Sequence, residues 1–270
     1  MGSLSLACSI ACRPTQIFAS LLIIPIILKI FIKNVKERKN ILKNILVIAI
    51  PYISVAILLM RYNYLRFGNP LEFGEKYQLT VNNMKNLSLR WSLLPTGIFC
   101  NLFGLPTFQA VFPFIHVNGN IIDTFGYYYV EDMIGGAFCL SPIAFFCFGI
   151  FWLWKKCKNK DLKISALTFL IVGLIFVIFI SLKAGSTGRY LLDFAWIFVI
   201  CGIMIFMEIL KQSQTEEGKK ILGKVFNVIV CFTLIINILS AFCVIGGANS
   251  MRNNSPKEYF EAEYTFMIQK

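Results

Sequence analysis

Charged residues are scarce in this sequence, and acidic residues are the rarer kind. Only 15% of the 270 residues are charged, whereas 57% are hydrophobic and the mean hydropathy is +0.70. A soluble domain carries about 25% charged residues, so this composition argues against a water-soluble globular protein. The long apolar runs instead predict one integral membrane domain over residues 1–270, without a separate soluble domain.

Histidine is nearly absent and the cysteines are scattered, which argues against a metal centre. His116 is the only histidine, and no two of the nine cysteines form a Cys-x-x-Cys pair. Structural metal sites need several such ligands at close spacing. Most of the cysteines lie in or beside apolar runs, where cysteine behaves as a small hydrophobe. We therefore expect no metal site and no disulfide framework, and the sequence identifies no cofactor.

Six apolar segments are long enough, or nearly so, to cross the roughly 30 Å hydrocarbon core of a bilayer as helices. These segments are residues 15–32, 44–60, 135–154, 164–182, 191–210 and 225–245. The sequence therefore predicts an all-α fold, a polytopic membrane protein with about six transmembrane helices.

Lysine and arginine are concentrated in three short segments between the apolar runs. Residues 29–43, 155–163 and 211–224 hold more than half of the 26 basic residues. Cytoplasmic loops carry such an excess, so we expect these segments on the cytoplasmic side of a cell membrane. The large loop 61–134 and the C-terminal tail 247–270 then face outward, as does the turn at 183–190. This placement accounts for the formal charge of +12 without a nucleic-acid partner.

The large outward loop is expected to contain interfacial helices. Residues 81–103 mix large apolar side chains with Asn, Lys and Arg, a composition typical of an amphipathic helix in the headgroup region. Trp91 suits that depth, because tryptophan is enriched at the membrane interface. Proline and glycine residues then predict turns over residues 106–134.

The first candidate site follows the second apolar run. Residues 61–75 contain Arg61 and Arg66 among aromatic side chains, with glycine and proline as chain breakers. Arginine forks bind phosphate bidentately, and glycine lets backbone amides approach a ligand. We interpret the stretch as a polar loop that binds an anionic lipid-linked group; the alternative is interfacial snorkelling of the two arginines. The supporting residues of this site are Tyr64, Gly68 and Glu72.

The second candidate site opens the fifth apolar run. Arg189 and Tyr190 follow a tight turn at 183–188, and an outward-facing helix N-terminus suits anions. We expect both residues to bind a lipid phosphate, with Asp193 in support. A carboxylate inside the run is expensive in lipid, so Asp193 should face the bundle or pair with a basic group. Helix capping is the alternative, because acids favour the first turn of a helix.

The outward carboxylates form no specific catalytic pattern. Glu72, Glu75, Glu131 and Asp132 are the acids available for acid–base work on that side, and each is equally typical of a solvated loop. We therefore assign no catalytic residue from the sequence.

Several stretches together resemble the C-terminal part of bacterial membrane glycosyltransferases of the GT-C superfamily, which contains protein O-mannosyltransferases and aminoarabinose transferases. Residues 9–15 resemble a transmembrane segment that runs into an outward turn. Residues 64–74 are similar to a loop found in many members, and residues 86–106 to the interfacial helix after it. Residues 188–193, Gly-Arg-Tyr-Leu-Leu-Asp, resemble the late outward turn.

The resemblance implies sugar transfer from a polyprenyl-phosphate carrier on the outward face. In that family, arginines stabilise the departing lipid phosphate and a carboxylate activates the acceptor as general base. The carboxylate is usually an aspartate in the first outward loop, and no residue here matches it. We therefore expect a chain that lacks the N-terminal catalytic portion, with a separate N-terminal half as a partner beside membrane lipid and the lipid-linked sugar.

A non-enzymatic role is the alternative, either as a multi-pass membrane scaffold or as a transporter subunit. Secondary transporters more often show inverted repeats and polar residues at the membrane midplane, and the sequence shows no such repeat and little charge within the spans. A scaffold stays open as an interpretation, and so does a truncated product without an independent function.

Overall fold

A computed structural model describes residues 2–33, 38–74, 89–110, 114–116, 118–122, 128–182 and 185–244. Its helices are α1 (Gly2–Cys12), α2 (Ile24–Lys33), α3 (Arg38–Phe67), α4 (Leu94–Ile98), α5 (Ala137–Leu140), α6 (Ile150–Lys156), α7 (Lys160–Ser181), α8 (Gly188–Gln212) and α9 (Glu216–Val244). Tighter 3-10 segments at Pro14–Ile23, Trp91–Leu93 and Pro142–Gly149 precede α2, α4 and α6, and a π-helical turn at Phe99–Phe103 follows α4. The architecture is all-α, as the sequence predicts.

Five helical stretches of the described chain are long and apolar enough to cross a membrane. They are Pro14–Phe31, Lys43–Phe67, Lys160–Ser181, Gly188–Gln212 and Glu216–Ser240. Each coincides with one of the predicted apolar runs, namely the first, second, fourth, fifth and sixth. The multi-pass membrane character is therefore confirmed.

The third predicted span, residues 135–154, is not one continuous helix. It consists of α5, the 3-10 segment Pro142–Gly149 and α6. Ser141 lies at φ −137° and ψ 79°, outside the helical region, because the ring of a following proline disfavours the α conformation. Apolar length alone therefore does not predict this break, and a membrane crossing by this segment stays a prediction.

The second span is longer than its apolar run. α3 continues to Phe67, so Arg61 and Arg66 lie on a helix rather than in a loop. Tyrosine, leucine, arginine and phenylalanine all tolerate a helix, and the chain first turns at Gly68, which has φ +69°. The predicted polar stretch 61–75 thus shrinks to a loop at residues 68–74, and Glu75 lies outside the described residues.

Short strands occur where the sequence predicts only turns. β1 (Thr107–Phe108) pairs antiparallel with β2 (Ile115–His116), and β3 (Asn118–Ile122) pairs antiparallel with β4 (Tyr128–Met133). β4 also pairs in parallel with β5 (Gly185–Thr187), the strand that leads directly into α8. Runs this short carry little periodicity, so the sequence gives no clear signal for them. The helical segment Trp91–Phe103 agrees with the predicted interfacial helix, whereas residues 81–88 lie outside the described chain.

The core lies where α7, α8 and the 3-10 segment Pro142–Gly149 pack together. Phe176, Phe194 and Phe198 are fully buried there. At Gly202 of α8 the backbones approach so closely that a Cβ atom would overlap the carbonyl oxygen of Ile143. Small residues at such crossings are how membrane helices gain close packing. By contrast, almost none of the apolar windows of α3 and α9 is buried, as in helices that face lipid or a partner.

The segments at the two opposite ends of the spans make separate sets of contacts. At one end Lys29 forms an ion pair with Asp161, which joins two of the lysine-rich segments. At the other end the Arg90 amide donates to the Leu182 carbonyl, and β4 pairs with β5. The basic segments and the predicted outward segments are thus separated, and which end is cytoplasmic stays a prediction from the positive-inside rule.

Candidate functional site

The second candidate site lies where β5 passes into α8. Thr187, the residue before the helix, is extended at φ −125° and ψ 154°, and the helix begins at Gly188. Arg189 and Tyr190 therefore occupy the first turn. Asp193 lies one turn further along α8, with only 2% of its surface exposed.

Asp193 is compensated by Arg13, the residue between α1 and the first span. Arg13 Nη1 donates to Asp193 Oδ1 at 2.8 Å and to the Arg189 carbonyl oxygen at 2.9 Å. The Asp193 side chain is 3% exposed and that of Arg13 is 36% exposed. A carboxylate so deeply buried requires a charged partner. The expectation that Asp193 faces the bundle and pairs with a basic group agrees with this contact.

Two further side chains hydrogen-bond to Asp193 from the start of the first span. Gln16 Nε2 donates to Oδ1 at 3.0 Å, and Thr15 Oγ1 lies 3.4 Å from Oδ2. Pro14 is the first residue of the 3-10 segment, so its missing amide hydrogen costs nothing there. The three polar side chains around this proline thereby converge on one carboxylate. Asp193 is therefore not simply a first-turn acid beside a helix end.

Arg189 and Tyr190 lie beside this ion pair but differ in their contacts with it. The Arg13 guanidinium lies over the Tyr190 ring, 5.5 Å from its centroid, a distance typical of a cation–π contact. The Arg189 side chain is exposed. In the described parts of the chain its guanidinium has no hydrogen-bond or ion-pair partner. Arg189 therefore remains available to an anion from solution or from the membrane surface.

The first candidate site is arranged differently from the prediction. Arg61 and Arg66 are five residues apart on α3, which separates them by about 140° around the helix axis. Arg66 donates to the Tyr62 hydroxyl at 3.0 Å and lies 5.0 Å from the centroid of the Phe67 ring. Arg61 and Tyr64 are exposed. The two arginines therefore do not converge on one ligand from a single helix face.

The turn after α3 is stabilised by hydrogen bonds from its own backbone amides. The Gly68 amide donates to the Tyr64 carbonyl at 2.8 Å, a helix ending in which glycine supplies the positive φ. The Gly74 amide donates to Glu72 Oε1 at 3.1 Å, and the Leu71 amide donates to Asn69 Oδ1 at 2.9 Å. Gly68 and Glu72 thus have a structural explanation in this turn.

The predicted site residues consequently form two groups. The contacts of Tyr190 and Asp193 lead to the first span, whereas those of Arg66 lead to its own helix. We take the group at the start of α8 as the candidate site, because it alone combines residues from distant parts of the chain.

Sequence reasoning missed a buried polar network next to this group. Asn101, in the π-helical turn, is fully buried and donates to the Gly97 carbonyl at 2.8 Å and to Ser181 Oγ at 3.3 Å. Ser186 of β5 donates to Asn101 Oδ1 at 3.0 Å. The network connects the interfacial helix to the strand before α8. Burial also raises the pKa of the neighbouring Cys100 thiol, so that it stays neutral.

The sequence offered a signal for Arg13 but hardly one for Asn101. Arg13 is a basic residue beside a proline on the side predicted to face outward, and the need of Asp193 for a partner narrows the choice of partner to such residues. Asn101 lies in a polar-apolar mixture like that of many surface helices. Its burial follows only from the way the segment Trp91–Phe103 packs against α7.

The described residues contain no group of three or more histidine, cysteine, aspartate or glutamate side chains that could hold a metal ion. The side chains of Glu75, Glu131 and Asp132 lie outside the described set.

No protein-family model matches this chain, and neither a curated protein nor a solved structure is detectably similar to it. The resemblance to GT-C glycosyltransferases therefore rests on the short motifs of the sequence alone.

Proposed function

We propose that this protein binds the phosphate of a polyprenyl-phosphate carrier at the start of α8, as the distal part of a GT-C-like glycosyltransferase. Arg189 and Tyr190 are the residues of this site, and Asp193 supports them through Arg13. The observation that carries the proposal is the exposed Arg189 guanidinium beside an otherwise compensated cluster. It would meet the lipid phosphate at the outward membrane surface.

Electrostatics favour an anionic ligand at this position. Arg13 and Asp193 cancel each other, so Arg189 leaves the described cluster with one net positive charge. The first turn of α8 adds the positive end of a helix dipole, and arginine binds phosphate oxygens bidentately. Apolar helices on either side would let the isoprenoid tail remain in the membrane.

The proposed role stops at carrier binding. The family's aspartate base has no counterpart in these 270 residues, so the general base would have to come from outside them. Arg61 is also exposed and remains a candidate for a contact with the lipid headgroup. Arg66 is a weaker candidate, because Tyr62 and Phe67 already hold its guanidinium.

A titration of the purified full chain in detergent with undecaprenyl phosphate tests this proposal. Arg189→Ala is expected to weaken binding about tenfold or more, since it removes a charge-assisted hydrogen bond. Lys155→Ala is the matched control, because Lys155 is an exposed cation in a basic segment at the opposite end. Equal affinity of the Arg189→Ala variant and the native chain would refute the site.

A non-enzymatic scaffold is the second candidate, and the exposure of α3 favours it. None of the apolar window of α3 is buried, and only 6% of that of α9. Two such helices offer a wide surface to another membrane protein. A chain that co-purifies with a membrane partner but binds no polyprenyl phosphate would favour the scaffold over the glycosyltransferase part.

A further inference from the structure

Arg13 has unused hydrogen-bonding capacity on one side of its guanidinium. The two contacts of its side chain, to Asp193 and to the Arg189 carbonyl, both come from Nη1, which has two hydrogens to donate. In the described parts of the chain, Nη2 and Nε have no hydrogen-bond partner. Three N–H donors therefore remain, and two of them, one on Nε and one on Nη2, lie along the Nε–Nη2 edge.

That open edge is held in a defined orientation. Asp193 accepts from Nη1 at 2.8 Å, and the ring of Tyr190 lies 5.5 Å from the guanidinium carbon. Gln16 and Thr15 in turn hold the carboxylate. A fork whose direction is already set loses little conformational entropy on binding a ligand. The side chain is 36% exposed, so a ligand can reach it.

We propose that the Nε–Nη2 edge of Arg13 binds two oxygens of a phosphate monoester, while Arg189 binds the third. Because Arg13 donates to the main-chain carbonyl of Arg189, the two residues are neighbours at the start of α8. This inference rests on the proposed function, and it adds a residue to the site and specifies its ligand chemistry. A phosphate monoester has three terminal oxygens for two arginines, whereas a carboxylate has two.

Arg13→Lys tests the edge without removing the charge that Asp193 needs. Lysine keeps the ion pair but has no planar fork. In the full chain, Arg13→Lys is expected to weaken binding of a short-chain polyprenyl phosphate about tenfold or more, close to the effect of Arg189→Ala. The double variant Arg13→Gln with Asp193→Asn removes both charges together and should lose binding in the same way, even if the lysine variant folds poorly.

The probes distinguish the sources of the phosphate. Polyprenyl phosphate is compared with inorganic phosphate, with the corresponding isoprenol and with a fatty acid of similar length. We expect competition by inorganic phosphate, and negligible binding of the isoprenol and the fatty acid. Fatty-acid binding as tight as that of the phosphate would overturn the assignment of a phosphate site.

Failure of the inference and failure of the proposed function give different results. Native affinity in Arg13→Lys together with lost binding in Arg189→Ala overturns the role of Arg13 and leaves the proposed function standing. Phosphate binding that depends on Arg13 but shows no preference for the polyprenyl ester supports the Arg13 edge and overturns the carrier function. A native chain that binds neither inorganic phosphate nor the polyprenyl ester overturns both.

Discussion

Arg13 Nη1 and Asp193 Oδ1 lie 2.8 Å apart, although 180 positions separate the two residues. The contact joins the start of the first span to the start of α8. Because Asp193 is almost completely buried, its charge depends on this one basic partner. The pair therefore connects the first span to α8 and also orients the first turn of α8.

Removal of Arg13 should destabilise the protein markedly. Arg13→Ala leaves the Asp193 carboxylate buried without a countercharge, which costs about 3–5 kcal/mol in known cases. We expect about 3 kcal/mol, because the partly exposed Arg13 already shares its charge with solvent. Unfolding by SDS in mixed micelles measures this loss.

Arg61→Ala is the control for that measurement. Arg61 is also an arginine at the predicted outward end of a span, but it is exposed and has no hydrogen-bond or ion-pair partner among the described residues. Its removal should change the free energy of unfolding by about 0.5 kcal/mol or less. Equal losses in the two variants would contradict the structural role of the Arg13–Asp193 pair.

The apolar pattern predicts much of this fold because lipid imposes a simple rule. Every backbone group of a span must be satisfied within its helix, so apolar runs such as 164–182 and 191–210 fix the positions of α7 and α8 well. The positions at which the helices end are less predictable. α3 passes through Arg61 and Arg66 to Phe67, since polar and aromatic residues at the interface do not stop a helix.

The candidate site was predictable in part. The demand of a buried carboxylate for a cation predicts that Asp193 has a partner, but several outward cations could have served. Which one it is depends on how the first span packs against α7 and α8, and no local pattern encodes that. No local pattern encodes the partners of Asn101 either, because Ser181 and Ser186 lie 80 and 85 positions away.

Two glycines in long helices should respond oppositely to alanine. Gly202→Ala places a methyl group against the Ile143 carbonyl at the crossing of α8 with the broken span. Such overpacking costs about 1–3 kcal/mol. Gly223→Ala in α9 meets no atom within 4 Å, so it should stabilise by up to about 1 kcal/mol through helix propensity. Thermal unfolding in detergent compares the two, and equal stabilities would argue against the close crossing.

Loss of the buried side-chain amide of Asn101 should lower the free energy of unfolding more than loss of an exposed amide. Asn101→Ala removes the donor to the buried Ser181 hydroxyl and the acceptor for Ser186, which costs about 1–3 kcal/mol. Asn237→Ala on α9 removes an exposed side chain that donates to the Leu140 and Thr233 carbonyls, and it should cost about 0.5–1 kcal/mol. A smaller loss for Asn101 than for Asn237 in the same unfolding assay would be incompatible with the network.

Labelling from one side of the membrane tests the predicted topology. Asn69 and Lys158 are exposed residues in segments predicted to lie outward and inward, respectively. A membrane-impermeant maleimide added to intact cells should label Asn69→Cys above the background of the native cysteines, and should label Lys158→Cys only after permeabilisation. The reverse pattern would invert the orientation derived from the basic segments.

Photo-crosslinking tests the proposed carrier site most directly. A polyprenyl phosphate with a diazirine next to its phosphate is irradiated with the full chain in detergent, and the labelled peptides are mapped by mass spectrometry. We predict labelling at the start of α8 and around Arg13, with loss of both signals in Arg189→Ala and no such labelling by the matching isoprenol. Labelling confined to the lysine-rich end, or equal labelling by the isoprenol, would contradict a phosphate site at the start of α8.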